Sequence, residues 1–285
     1  QMSLEKLKKQ FPGYWAERIL TEIMYATEVS IQLENKYATL LDEVTGWLVD
    51  QAEQKLAIPR ETALEAEQKL SSIAADAKKY KMLCAGHAHI DMNWMWGYNE
   101  TVSITLDTFR TALDLMNEFP EFKFSQSQAS TYKIVEEFDP QLLDEIKKRV
   151  KEGRWEVAAS TWVEADKNMP SGESAARHLL YTRRYLSKLL DLQADDFQFD
   201  FEPDTFGHHH NVPEILASGG VKYYYHCRGD HSWFIYRWVS PYGRSIIVYR
   251  EPTWYLGYIE PSMAVIVPEF TKQTGIDTLL KVYGV

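Results

Sequence analysis

The sequence predicts an α/β fold, either a largely parallel β-sheet or an incomplete seven-stranded β/α barrel with flanking helices, preceded by a helical N-terminal extension. Three observations predict it. Short apolar runs of strand length recur at 81–85, 122–125, 155–159, 197–201, 222–226 and 245–249. Between them, segments 103–118, 140–152, 171–190 and 212–218 carry apolar residues at helical spacing, the alternation from which parallel sheets are built. Before residue 79 the texture is helical throughout: Phe11, Trp15, Ile19 and Ile23 recur every four residues, and Leu64, Leu70 and Ile73 follow Pro59, which opens the last long helix with Arg60, Glu61 and Thr62. The expected division is 1–78 for the extension and 79–285 for the α/β domain, with Gly219 and Gly220 stopping the helix over 212–218.

Composition narrows the function classes. With 285 residues and 45% hydrophobic content the chain can bury a large core, so disorder is excluded. A formal charge of -10, from 31 Lys+Arg against 41 Asp+Glu, leaves no basic excess to displace counterions from a phosphate backbone. Nucleic acid is therefore not an expected partner, and a neutral or cationic ligand is. The two cysteines, Cys84 and Cys227, lie in short apolar runs that read as buried strands, which points to a reducing, cytoplasmic setting without disulfides. Residues 1–10 have no secretory apolar run, and no later stretch approaches the ~18 apolar residues of a membrane span, so no membrane association is expected. Nothing in the sequence decides between a monomer and a homo-oligomer.

In parallel α/β architectures ligands gather where the strands end. Here those ends are polar: His87, His89 and Asp91 after the first strand; Ser125 to Gln128 after the second; Ser160, Thr161, Trp162, Glu164 and Asp166 after the third; Glu202 and Asp204 after the fourth; His226 and Arg228 after the fifth; Arg250 after the sixth. His87, His89 and Asp91 alternate, so in an extended stretch all three point to one side, and imidazole nitrogen with carboxylate oxygen suits zinc or a similar divalent ion. Asp204 follows the rigid Pro203 and either completes a metal site or attacks a substrate; it stands too far from Val212 to cap the next helix. His208, His209 and His210 cannot all face one centre. Trp94 and Trp96 offer flat faces for a sugar ring, and Arg228 a partner for a carboxylate or hydroxyl.

The run His87-Ala88-His89-Ile90-Asp91-Met92-Asn93-Trp94 resembles the His-x-His-x-Asp-x-x-Trp segment of the α-mannosidases of glycoside hydrolase family 38. Asp204-Thr205-Phe206-Gly207-His208 resembles their Asp-x-Phe-Gly-[His/Tyr] segment. Thr161-Trp162-Val163-Glu164-Ala165-Asp166 with Pro170-Ser171-Gly172-Glu173 is similar to a stretch of the cytosolic and bacterial branch. The resemblance covers the chain from about Lys81 onward. It implies a zinc-dependent retaining glycosidase acting on terminal α-mannose of an oligosaccharide. His89, Asp91 and Asp204 would be three of four zinc ligands, Asp204 also the nucleophile, and Trp94, Phe206 and Arg228 would line the mannose subsite; His87 is not a ligand in the family. The resemblance further implies that the family's general acid, in a Gly-Asp segment, and a fourth ligand, a histidine, lie beyond Val285. The chain is thus expected to be cut short, to bind zinc weakly and not to turn over mannosides. Two other readings stand beside this one: a metal-dependent amidohydrolase, whose barrel also opens with His-x-His and for which His226 could serve as a further ligand, and a non-catalytic carbohydrate-binding module.

Overall fold

The structure is a computed structural model that describes residues 4–229 and 232–284. It divides into two compact units, Gln1–Leu83 with Ile259–Leu279, and Cys84–Tyr258 with Leu280–Val285.

The first unit is helical: α1 (Leu4–Gln10), α2 (Tyr14–Gln32), α3 (Ala38–Lys55), α4 (Arg60–Lys69) and the single turn α5 (Ala74–Ala77). The four-residue spacing of Ile19 and Ile23 puts both on the buried face of α2, where they join Leu20, Val29, Leu48, Ala63 and Ile73 in one apolar core. Pro59 precedes the first turn of α4 in extended conformation, where its missing N–H is of no consequence. One buried carboxylate organises the polar edge. Asp76 accepts from Lys36 Nζ (2.8 Å), Tyr37 Oη (2.7 Å) and Lys79 Nζ (2.7 Å), tying the turn between α2 and α3 to α5.

The second unit begins with the end of β1 (Lys81–His87), then α6 (Tyr98–Glu118), β2 (Phe124–Gln126), α7 (Ala129–Phe138), α8 (Pro140–Lys151), β3 (Trp155–Val157), α9 (Gly172–Leu190), β4 (Phe199–Glu202), α10 (Val212–Ser218), β5 (Tyr223–His226), β6 (Ile235–Val239) and β7 (Ser245–Arg250). The chain then passes through α11 (Val267–Thr274) in the first unit and returns with β8 (Thr278–Tyr283). The strands form two four-stranded sheets of order β3-β2-β1-β8 and β4-β5-β7-β6. Pairs β1–β2, β2–β3, β4–β5 and β5–β7 are parallel, and β6–β7 is antiparallel. The fold is thus the expected α/β arrangement with a parallel sheet and flanking helices. Among the described residues no ladder closes the two sheets into a barrel. Their meeting is made by side chains: Ala158, Phe201, Tyr225 and Val282 share a small core, Ser160 Oγ donates to Asp200, and Thr161 Oγ1 to Glu202 Oε1 at 3.4 Å.

Helix starts follow their caps. Asp139 accepts from Leu142 N ahead of α8, which begins with Pro140, and Ser171 accepts from Ser174 N ahead of α9. The largest core lies between α6, α7, α8 and the first sheet, where Phe109 packs edge to face against Phe124 and Trp155 and tilted against Tyr132; Trp155 Nε1 donates to Tyr132 Oη, which donates to Gln126 O. Cys227 is buried as expected, but Cys84 is exposed, so the first strand is not sealed along its whole length. No helix among the described residues is long and apolar enough to cross a membrane.

Asp76 yields a pH prediction. Its bonds to Lys36, Lys79 and Tyr37, in that order of weight, hold its carboxyl well below the ordinary 3.8. The folded state therefore binds this proton less readily than the unfolded one, and the stabilisation is present above about pH 4 and fades as pH falls further. Asp76→Asn is expected to lower the thermal midpoint at neutral pH and to flatten the acid limb of a stability-versus-pH curve below pH ~4. A limb unchanged in the variant would contradict this.

Candidate active site at the strand ends

The strands β1, β2, β3 and β4 end around a cleft of about 400 Å³ whose walls include His89, Asp91, Gln128, Glu164, Asp204 and Phe206. β1 ends at His87, so the alternation expected over His87, His89 and Asp91 does not continue. His87 turns inward: Nδ1 donates to Ser125 O at 3.0 Å and the ring lies 4.4 Å from that of Phe201. Burial, then the neighbouring His89, pull its pKa down to about 3, which marks a neutral structural imidazole.

His89 lies at the centre of a ring of carboxylates. Its Nδ1 is 3.1 Å from Glu164 Oε2, and its Nε2 is 3.3 Å from Asp91 Oδ1 and 3.9 Å from Asp204 Oδ2. Neither ring nitrogen makes an aligned hydrogen bond among the described residues. Burial disfavours the charged ring, but Glu164, then Asp91 and Asp204, outweigh it and raise the His89 pKa. The other oxygen of Asp204 is taken by Arg228, through Nε at 2.6 Å and a second guanidinium nitrogen at 2.5 Å. That guanidinium lies over the rings of Phe206 (4.6 Å) and Trp254 (5.0 Å). Tyr255 packs edge-on against His89 at 5.5 Å, and its phenol is pushed up by burial first and by Asp204 next.

Behind this layer is a buried charge cluster. Lys167 Nζ sits 2.5 Å from Glu202 Oε1 and 3.2 Å from Asp200 Oδ2. One ammonium balances one of the two carboxylates, and burial, with Asp200 and Glu164 nearby, pushes Glu202 upward. Gly207 fits this crowding: a Cβ there would meet the side chains of Asn168 and Asp166. Arg228 is held from behind. His208 Nε2 (3.0 Å) and His226 Nδ1 (2.5 Å) both donate to its carbonyl, while Tyr224 and Tyr236 hydroxyls face the other ring nitrogens. His226 is thus engaged away from the cleft.

The structure brings His89, Asp91, Asp204, Phe206 and Arg228 together. Trp94 is not at the cleft wall; it is 68% exposed and packs edge-on against Trp96 at 5.6 Å. His209 and His210 stack on each other at 4.2 Å, away from His208. Arg250 is buried, donating to Trp233 O and Glu251 O. Glu164, expected only as part of the polar rim, lines the cleft, and Lys167, Trp254 and Tyr255 join the site without having been expected there; the aromatic pair after the sixth strand was the available signal.

Imidazole nitrogen and carboxylate oxygen are donor types that divalent cations take. A tetrahedral ion with bonds of about 2.0–2.2 Å separates its donors by roughly 3.3–3.5 Å, close to the 3.3 Å between His89 Nε2 and Asp91. Among the described residues, however, no group of three or more His, Cys, Asp or Glu is placed so that it could hold a metal ion, and Asp204 stands at 3.9 Å from His89 Nε2.

The model of the glycosyl hydrolases family 38 N-terminal domain matches residues 79–276. The chain belongs to this family. It is 37% identical over 142 residues to alpha-mannosidase G of Dictyostelium discoideum, a stretch covering 50% of this chain and 13% of that protein. To the alpha-mannosidase of Saccharomyces cerevisiae it is 33% identical over 137 residues, 48% of this chain and 12% of that one. The fold is that of an alpha-mannosidase from Enterococcus faecalis, with a TM-score of 0.63 and 21% identity over 72% of this chain and 25% of the other. Membership of family 38 sets aside the amidohydrolase reading. The family 38 domain described here thus spans a small part of the length of the relatives it matches.

Gln128 stitches the cleft. Its Nε2 donates to Ile90 O (2.9 Å), its Oε1 accepts from Glu164 N (3.0 Å), and its backbone takes the left-handed φ of 66° to do so. Gln128→Leu leaves two buried backbone groups unpaired and is expected to destabilise this unit by about 1–3 kcal/mol for each, measured by urea denaturation against an exposed control substitution.

Proposed function

We propose that this domain forms the nucleophile and metal side of a zinc-dependent retaining α-mannosidase acting on terminal mannose of oligosaccharides. The observation that carries the reading is the buried His89 Nε2, without a hydrogen-bond partner and facing Asp91 and Asp204. His89, Asp91 and Asp204 are the residues that would hold zinc, and their chemistry fits it. Zinc bound there supplies a template and electrostatic clamp for sugar hydroxyls.

The chain's own groups do the rest. A retaining glycosidase attacks the anomeric carbon with one carboxylate, forming a glycosyl ester that water later cleaves, and uses a second carboxyl as acid and base. Asp204 is the proposed attacker. Arg228 fixes one of its oxygens from the side and leaves the other turned to the cleft, which sets the line of approach. Phe206 presents an exposed apolar face beside it for the sugar ring, with Trp94 as a further stacking residue once a longer substrate reaches it. The two free cysteines, one of them exposed, support a reducing, cytoplasmic setting.

In the protein that carries this domain, Asp204→Asn is expected to reduce hydrolysis of an aryl α-mannoside by roughly 10³-fold or more. Chelation is expected to abolish wild-type turnover and added zinc to restore it. Undiminished mannoside cleavage by Asp204→Asn would remove Asp204 as nucleophile, and cleavage of an acylated amine instead of the mannoside would overturn the reaction class.

A further inference from the structure

We propose that Glu164 is the positioning residue of this site: one of its oxygens fixes the tautomer of His89 and the other fixes the backbone of Asp204, so that the imidazole lone pair is aimed at the two aspartates. The proposal rests on the reading of His89 and Asp204 as metal-holding groups.

Glu164 is almost fully buried, its side chain 7% exposed. A carboxylate in that position has to be answered by donors. Oε1 accepts from Asp204 N at 2.7 Å, across forty residues of sequence, and lies 3.0 Å from Thr205 Oγ1, a hydroxyl that Glu164 shares with Glu202 Oε2 at 2.6 Å. Oε2 is closed off from solvent and lies 3.1 Å from His89 Nδ1. A neutral imidazole carries one proton. Placed on Nδ1, that proton lies on the Glu164 side, a close charge–dipole contact and not an aligned hydrogen bond, and the lone pair on Nε2 lies on the side of Asp91 and Asp204. Placed on Nε2, it leaves two lone pairs opposed at 3.1 Å between Nδ1 and Oε2. Glu164 therefore selects the Nδ1–H form, the arrangement in which a metal-binding histidine donates its other N–H to a carboxylate.

Glu164 is itself held in place. Its N–H donates to Gln128 Oε1, and Gln128 Nε2 reaches Ile90 O, the residue between His89 and Asp91. The loops after β1, β3 and β4 are thus joined through one carboxylate and one amide. Because Asp204 N donates to Oε1, a glutamine at this position keeps its oxygen there and turns its NH₂ toward His89 Nδ1. Glu164→Gln consequently reverses the preferred tautomer while preserving shape.

The test uses the ¹⁵N-labelled chain. At alkaline pH, where the ring is neutral, imidazole nitrogen shifts are expected to show His89 protonated at Nδ1 in the wild type and at Nε2 in Glu164→Gln. Zinc affinity, read by competition with a chromophoric chelator, is expected to fall roughly 10- to 100-fold in the variant, with the metal-free thermal midpoint little changed. An Nε2-protonated ring in the wild type overturns the proposal by itself, even if the variant fails to fold. Equal zinc affinity and the same tautomer in both proteins overturn it too and leave the metal reading intact. An Nδ1-protonated wild type that reverses in Glu164→Gln but takes up no zinc upholds the positioning role and overturns the metal reading.

Discussion

A carboxylate taken out of water must be answered by donors or by a cation, and that constraint shapes every strand end around the cleft. Asp200 and Glu202 at β4 are answered by Lys167 from the loop after β3. Glu164 from the same loop is answered by the backbone and hydroxyl that follow β4, and Asp204 by Arg228 from beyond β5. Each pairing crosses from one strand's loop to another's. The loops cannot drift independently, since moving one strands a buried charge on its neighbour. His89 is the exception: among the described residues its Nε2 faces two carboxylates without an aligned hydrogen bond to either.

Much of this was legible in the sequence because strand ends and motif residues are local signals. All six anticipated strands form, and α10 has its expected bounds. The two further strands were hidden for separate reasons. β6 belongs to the run from Trp233 to Val239, whose aromatic residues do not alternate with polar ones, and β8 carries Lys281, a charged residue that is 1% exposed. Lys281 fits there because it reaches Glu251 and Trp254 O, partners about thirty residues back. Helix α7 follows directly on a polar run read as rim, and its buried Ser130 and Thr131 mask its apolar face.

The site divides in the same way. His89, Asp91, Asp204, Phe206 and Arg228 come together because each follows a strand whose register with its neighbour brings the ends level, as Glu202, His226 and Arg250 are in the second sheet. Glu164 was placed at the rim, but its role was not legible because it lies in contacts with residues tens of positions away, and no local pattern reveals those. His87 shows the opposite error: alternation is a property of extended chain, and the strand stops at that residue.

Lys281 has a further bearing on how the unit is made. Translation delivers Glu251 about thirty residues before Lys281. Until then the carboxylate has Tyr225 and Thr253 as donors but no cation, and the segment carrying Trp254 and Tyr255 lacks the ammonium that grips the Trp254 carbonyl. The aromatic wall against Arg228 and His89 is therefore completed only after β8 has been synthesised.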